Sequence, residues 1–434
     1  MYLQEISLII LQVLFIHFFF NNSIINKKIT NNIIKLKYFT NIDLTILNII
    51  IFLNLLILIS VFSINSSYFF YFYVLLICLA LTKNFLQKIK INFNYKNIII
   101  LLLVFILSLD LAYELIFGWD VQWFWYFKAL NFYQDQNFLN LNKLPLSGYP
   151  HLGPYIWGFF WKFPFNNYEY LGRIAYIFFY IIAIFSFSET LKINNQLRSI
   201  FSLIIILATY KYNLFNGDSD VLIFIFLLLT AKFVNDLYQP EKKKNQLTII
   251  FILLGIGNIL IWLKQEGIVF FMFLILSAII FNHLINKKNK LILVISCFLL
   301  ILLRVLILQI LDVPFVDTEW QGSPATLYFD FQEFYYRTTK ILFYTFVYIV
   351  QNPIYLISLP LMIISIKILK NNPLNKTLLL FTFIIFGFIF GVFFFQAMET
   401  IFILRNSMNE VLNSFSGVYL LVISNLINKY LSSN

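Results

Sequence analysis

The chain has 434 residues, of which 61% are hydrophobic, 20% aromatic and only 12% charged, with a net charge of +11. A water-soluble protein of this length cannot hide so much apolar surface. Soluble enzymes, nucleic-acid-binding domains, disulfide-rich secreted modules and disordered tails are therefore excluded, and the composition describes a polytopic membrane protein. Cys78 and Cys297 lie singly inside apolar runs, which gives no disulfide framework, and His17, His151 and His283 are too scattered to suggest a metal site.

Taken in chain order, apolar runs long enough to cross a bilayer fall near 5–20, 43–63, 68–84, 98–117, 168–189, 199–214, 219–237, 247–263, 267–285, 291–311, 353–369, 378–396 and 412–429. They are continuous, without the period-2 alternation of a membrane barrel. The prediction is an all-α protein with about 13 transmembrane helices and outer-face loops carrying short interfacial helices. Residues 2–20 lack a cleavage site of small residues and read as a first span, not a removed signal peptide. The shorter run 338–351 ends at Asn352-Pro353 and reads as an interfacial helix on the outer face.

Lysines and arginines mark every second loop: Lys27 to Lys37, Lys83 to Lys96, Lys192 with Arg198, Lys242 to Lys244, Lys287 to Lys290 and Lys367 to Lys376. Basic loops are retained in the cytoplasm, so the N-terminus lies outside, the C-terminus inside, and the expected location is the cytoplasmic (inner) membrane. The acids, which did not enter that assignment, test it. Only Asp43, Glu189, Asp236 and Glu241 fall inside, and the other sixteen fall at the outer side. The chain then divides into added N-terminal transmembrane helices (1–95), a transmembrane core (96–311) with a first long outer loop (118–167), a second outer loop and interfacial helix (312–352), and C-terminal transmembrane helices (353–434).

Four outer clusters carry chemistry. In Gly118-Trp119-Asp120-Val121-Gln122-Trp123-Phe124-Trp125-Tyr126-Phe127-Lys128, Asp120 sits where a span leaves the bilayer. It is placed either as a general base or as an N-cap of the next helix. Lys128 comes near the Asp120 face if 121–134 is helical, and Trp123 and Tyr126 are either sugar-stacking platforms or part of an interfacial aromatic belt. The loop returns through Gly148-Tyr149-Pro150-His151-Leu152-Gly153-Pro154, where His151 is a substrate ligand or a structural donor. Asp218 and Asp220 stand at a span entry, where capping competes with a cavity role. Lys264 and Glu266 occupy a very short outer turn, as a phosphate-binding pair or a self-satisfied one.

In order, "GWDVQWFWYFKA", "YPHLGPYIWGFFW", "NGDSDVLIFIFLLLTA" and "WLKQEGIVFF" make the chain resemble C-type integral membrane glycosyltransferases, in particular the bacterial relatives of protein O-mannosyltransferases. The likeness covers about 110–285. It implies that Asp120 is the catalytic base and that a polyprenyl-phosphate-linked sugar binds at the outer boundary near Lys264, Glu266 and Lys128. Relatives often carry an outer arginine after a Ser-containing stretch near the C-terminus. Here "RNSMNEVL" presents Arg405 earlier and Glu410 where a basic residue is expected.

The expected function is transfer of a hexosyl or pentosyl group from that donor to an acceptor hydroxyl on a lipid, glycan or protein, by inverting displacement at the side facing the periplasm or exterior. No cofactor is required by this chemistry, although Asp218 and Asp220 could hold a divalent metal. Two other classes compete. A lipid-linked polysaccharide polymerase or ligase should rely on outer arginines, and a transporter or flippase should place charge near the bilayer midplane.

Overall fold

The computed structural model describes residues 3–21, 40–86, 95–118, 120–145, 147–164, 167–211, 215–313, 331–368, 372–395 and 400–433. Every element among them is helical. In chain order these are α1 (Leu3–Phe20), α2 (Asn41–Val61), α3 (Ser66–Leu86), α4 (Tyr95–Glu114), α5 (Tyr126–Tyr133), α6 (Leu152–Trp161), α7 (Tyr170–Ser188), α8 (Asn195–Thr209), α9 (Asp220–Leu237), α10 (Gln246–Leu263), α11 (Gln265–Phe281), α12 (Lys287–Ile310), α13 (Phe331–Gln351), α14 (Pro353–Ile368), α15 (Pro373–Phe395), α16 (Thr400–Ser416) and α17 (Leu420–Ser433). The lysines expected in the first two basic loops, Lys27 to Lys37 and Lys88 to Lys90, and most of the second outer loop lie outside the described residues.

All thirteen apolar runs are helices, but fewer meet the length and composition of a complete span. Among the described residues eight do, or nine if α13 and α14, bent by 99° at Asn352-Pro353, are counted as one. The marginal elements have identifiable causes. α8 and α11 have 15 and 17 residues, and α9 carries Asp220, Lys232 and Asp236 within 18. The last run passes through a 3-10 turn at Gly417–Tyr419 and still has the length and composition of a span, as Ser407–Leu431. α13 starts before the expected run, at Phe331, and turns sharply into α14 at the proline, whose ring cannot continue the backbone ladder. Several helices are apolar enough to mark a membrane protein.

Burial orders the bundle. Every residue of α7 is buried and so is nearly all of α9, the pattern of helices that are apolar all round because other helices surround them. α7 packs on α1, α2, α4, α6, α8 and α9, whereas α9 adds α10, α11 and α16. α7 and α9 therefore form the centre and start at the same end of the bundle.

Polar contacts pair helix ends in the alternating order read from the loop charges. At one end Asp43 accepts from Lys232 and from Ser186 Oγ at 2.9 Å. Glu189 accepts from Lys96 at 2.7 Å and Arg198 at 2.6 Å, and Asp236 from Lys242 at 2.7 Å. At the other end Asp135 meets Lys162 at 2.6 Å and Asp220 meets Lys264 at 2.9 Å. An ion pair withdrawn from water is favourable only when geometry and extra hydrogen bonds offset desolvation. The Thr40 capping box on Asp43 provides such bonds.

Candidate active site

Four segments distant in sequence meet where α7 and α9 begin. The first follows α4. Asp120 heads a π-helical turn, Val121–Trp125, makes no capping hydrogen bond and is exposed, so capping is not its role here. The second is 215–220. Gly217 has φ +100°, a backbone conformation that suits glycine, and a Cβ there would lie 2.8 Å from Val121 and 2.9 Å from Trp157. Gly118 sits flat on this segment: a Cβ would come within 2.6 Å of Asp218 Oδ2 and 2.8 Å of Asn216 Nδ2. The missing side chains allow the Asp120 and Asp218 segments to touch.

The third segment is the turn between α10 and α11. Lys264 Nζ bonds Asp220 Oδ1 at 2.9 Å, so it pairs with an acid 44 residues earlier and not with Glu266. Glu266 retains a buried carboxylate oxygen without a hydrogen-bond partner. The fourth is α16, which brings the charge of Glu410 to bear on Lys264.

Asp120, Asp218, Asp220, Lys264, Glu266 and Glu410 thus share one electrostatic environment, with one lysine facing five carboxylates. Burial acts to lower the Lys264 pKa. Asp220, Glu266, the Tyr149 hydroxyl and Glu410 outweigh it and hold the ammonium well above its usual value. Asp218 is pushed up to about 7, first by burial and then by Asp220, with Lys264 opposing and Asp120 adding to the rise. Asp120 is exposed as a residue, yet the protein around it removes enough water to raise its pKa. Lys264 opposes that rise and Asp220 adds to it. These are the perturbations expected when like charges are gathered in a cleft.

The other expected residues lie elsewhere. Lys128 is fully buried, donates to the Tyr149 carbonyl at 3.1 Å and lies over the Trp125 ring. Lys128 thereby braces the returning loop. His151 is buried, bonds Ser60 Oγ at 3.1 Å and packs on Phe132, Phe138 and Trp262. Burial, Lys128 and Arg304 lower its pKa well below the usual value, so it is a neutral structural contact. Tyr126 packs on Phe117, Trp157 and Trp161, and Trp123 is 56% exposed. Arg405 is exposed, and its main-chain carbonyl accepts from the Tyr348 hydroxyl of α13 at 2.8 Å.

Three contributors were not among the expected site residues. Tyr149 has its hydroxyl in the field of Glu266, Lys264, Asp220 and Asp120, and burial followed by the acids raises its pKa. Glu410 stands where a basic residue was expected. Arg173, fully buried inside α7, bonds Glu169 at 2.7 and 3.1 Å, and its Nη1 reaches the carbonyls of Phe215 at 3.0 Å and Ile116 at 3.4 Å. A charge inside an apolar run is the one signal in the sequence that could have marked it.

Comparison of the chain with protein-family models, with curated proteins and with solved structures gives no match. Among the described residues no three His, Cys, Asp or Glu side chains are grouped so as to share a metal ion.

Proposed function

We propose that the protein is a membrane glycosyltransferase that moves a sugar from a polyprenyl-phosphate-linked donor to an acceptor hydroxyl at the outer face of the cytoplasmic membrane. The observation that carries this reading is the convergence of Asp120, Asp218, Asp220, Lys264 and Glu266 from three separate segments at one end of the bundle. Asp120, exposed and with a raised pKa, is suited to take the proton of an acceptor hydroxyl. The acceptor oxygen then bonds the anomeric carbon as the carbon–oxygen bond to phosphate breaks. The electron pair leaves with the polyprenyl phosphate, and the configuration inverts. Lys264, kept charged by its acidic neighbours, is the cation available to the departing phosphate.

The competing classes fit these contacts less well. Arg337 is engaged by Glu333 at 2.6 Å and by the Phe394 carbonyl at 2.9 Å, and Arg405 is absent from the groups acting on Lys264, so among the described residues neither outer arginine supports a polymerase-like site. The acids gather at helix ends and not at mid-span, which disfavours a transporter.

The test is transfer by membranes containing the full chain, supplied with a panel of synthetic undecaprenyl-phosphate-linked hexoses and pentoses. One member of the panel should be consumed with release of undecaprenyl phosphate, and Asp120→Asn should reduce that transfer about 10²–10⁴-fold. Undiminished transfer by Asp120→Asn overturns the base assignment, and no consumption across the panel overturns the reading.

A further inference from the structure

Arg173 occupies an unusual position for a guanidinium. It is fully buried on the central helix, one turn from its start, between the rings of Phe117 at 5.0 Å and Trp157 at 5.5 Å. Its Nε and Nη2 are used by the two oxygens of Glu169. Its Nη1 points the other way, to the main-chain oxygens of Phe215 and Ile116. Those two carbonyls belong to the segments that carry the acids: Ile116 precedes Asp120 by four residues and Phe215 precedes Asp218 by three.

We propose that Arg173 is a positioning residue of the site, fixing the separation of Asp120 and Asp218 by tying together the two backbone segments that bear them. The inference rests on the reading of Asp120 as the base. Its other supports are steric and independent of charge. Gly118 packs without a side chain against the Asp218 carboxylate, and Gly217 packs against Val121 and Trp157. The segments are thus in contact on one side and held by a single guanidinium on the other. Trp157, one of the rings that covers Arg173, also donates its indole N–H to the Glu169 carbonyl at 2.8 Å, which fixes the acid that orients the fork.

The fork geometry explains why arginine is needed. A planar guanidinium can engage a carboxylate with two N–H groups and still present a third toward carbonyls. A lysine ammonium keeps the charge but not this spread. If the tie is loosened, Asp120 moves relative to Asp218, and each carboxyl then sees a different charge from the other. The groups facing this pair are Asp220 at the start of α9, Lys264 and Glu266 at the α10–α11 turn, Glu410 on α16 and Tyr149 on the returning loop. Tyr176, buried on α7, feels both Arg173 and Asp218. Arg173→Lys keeps the charge and the double variant removes the Glu169–Arg173 pair together, so the net charge beside the site is unchanged and a displaced titration reports the Asp120–Asp218 separation.

The experiment uses the full chain, with undecaprenyl-phosphate sugar as donor, and compares wild type, Arg173→Lys and the double variant Glu169→Met with Arg173→Met. The double variant replaces a buried ion pair by apolar side chains, a change that commonly leaves folding intact. Arg173→Lys covers the case in which it does not. The expected result is a kcat lowered by on the order of tenfold to a hundredfold, the loss that a misplacement of about 1 Å produces. The donor KM should stay within about twofold, and the pH profile of kcat should be displaced, with Lys failing to restore the wild-type profile. A folded variant with unchanged kcat and profile overturns the assignment. So does a raised KM with unchanged kcat, which would make Arg173 a substrate ligand. Absence of transfer by the wild type overturns the glycosyltransferase reading itself, and that failure is told apart by the wild-type measurement alone.

Discussion

Asp218 carries the clearest consequence of gathering acids around one lysine. Its folded pKa of about 7 lies above the ordinary value of 3.8, so the folded protein holds a proton that the unfolded chain has released. Stability therefore falls as pH rises from about 4 to about 7, and above that range the whole cost of ionising Asp218 in place is felt. Asp218→Asn removes the cost while keeping the shape. Thermal unfolding of the detergent-solubilised chain should show it more stable than wild type at pH 8, by on the order of a few kcal/mol, and closer to wild type at pH 4.5. A variant less stable than wild type at pH 8 would show that the carboxylate is stabilised there by its surroundings. The acids themselves were legible in the sequence, because each stood at a span end where a charge needs water or a partner. Their partners were not. Lys264 had Glu266 two residues away, and only the packing of α9 against α10 reveals that it pairs with Asp220. Arg173 lies in an apolar run, and the carbonyls it serves have no side-chain signature by which the sequence could pair it.

Elements were easier to read than the contacts between them. Each apolar run became a helix because a backbone in a low-dielectric surrounding must satisfy its own polar groups. The register after Asp120 could not be read in the same way. One π-helical turn, bonded i to i+5, changes the register of everything that follows it, and Lys128, three residues past that turn, donates to the Tyr149 carbonyl. The close approach of two loops likewise depends on what glycine lacks. Gly118→Ala would set a methyl group 2.6 Å from Asp218 Oδ2 and 2.8 Å from Asn216 Nδ2, so the Asp218 carboxylate and the Asn216 amide, or the backbone next to Asp120, would have to shift. Such overpacking costs about 1–3 kcal/mol, and the same displacement should lower transfer about tenfold or more. Transfer and unfolding of Gly118→Ala, measured together, decide the matter, for wild-type behaviour in both would mean that the loops do not depend on this contact. His151 illustrates the opposite lesson: a lone histidine in an aromatic loop was open to either reading, and burial between Phe138 and Trp262 makes it structural.

At the scale of the whole molecule, the separation of charge is the organising fact. The basic loops alternate along the chain, and the ion pairs Asp43–Lys232, Glu189–Lys96 and Asp236–Lys242 all fall at one end, whereas Asp220–Lys264 and Asp135–Lys162 fall at the other. This agreement concerns which residues share an end, and the positive-inside tendency supplies the prediction of which end faces the cytoplasm. Single cysteines on a background with Cys78→Ala and Cys297→Ala test it directly. Gln134 lies at the end of α5 beside the candidate site and Lys243 in the turn between α9 and α10, and both are exposed. A membrane-impermeant maleimide applied to intact cells should label Gln134→Cys, whereas Lys243→Cys should be labelled only after the membrane is permeabilised. The reverse pattern would turn the bundle over and put the acid cluster in the cytoplasm, where a donor carried on the outer leaflet could not reach it. Labelling of both from outside would break the alternation itself. The second result would require α9 to enter and leave on one side. The charges Lys232 and Asp236 near its far end, buried against Asp43, would then have no aqueous phase beside them, which costs several kcal/mol per ion.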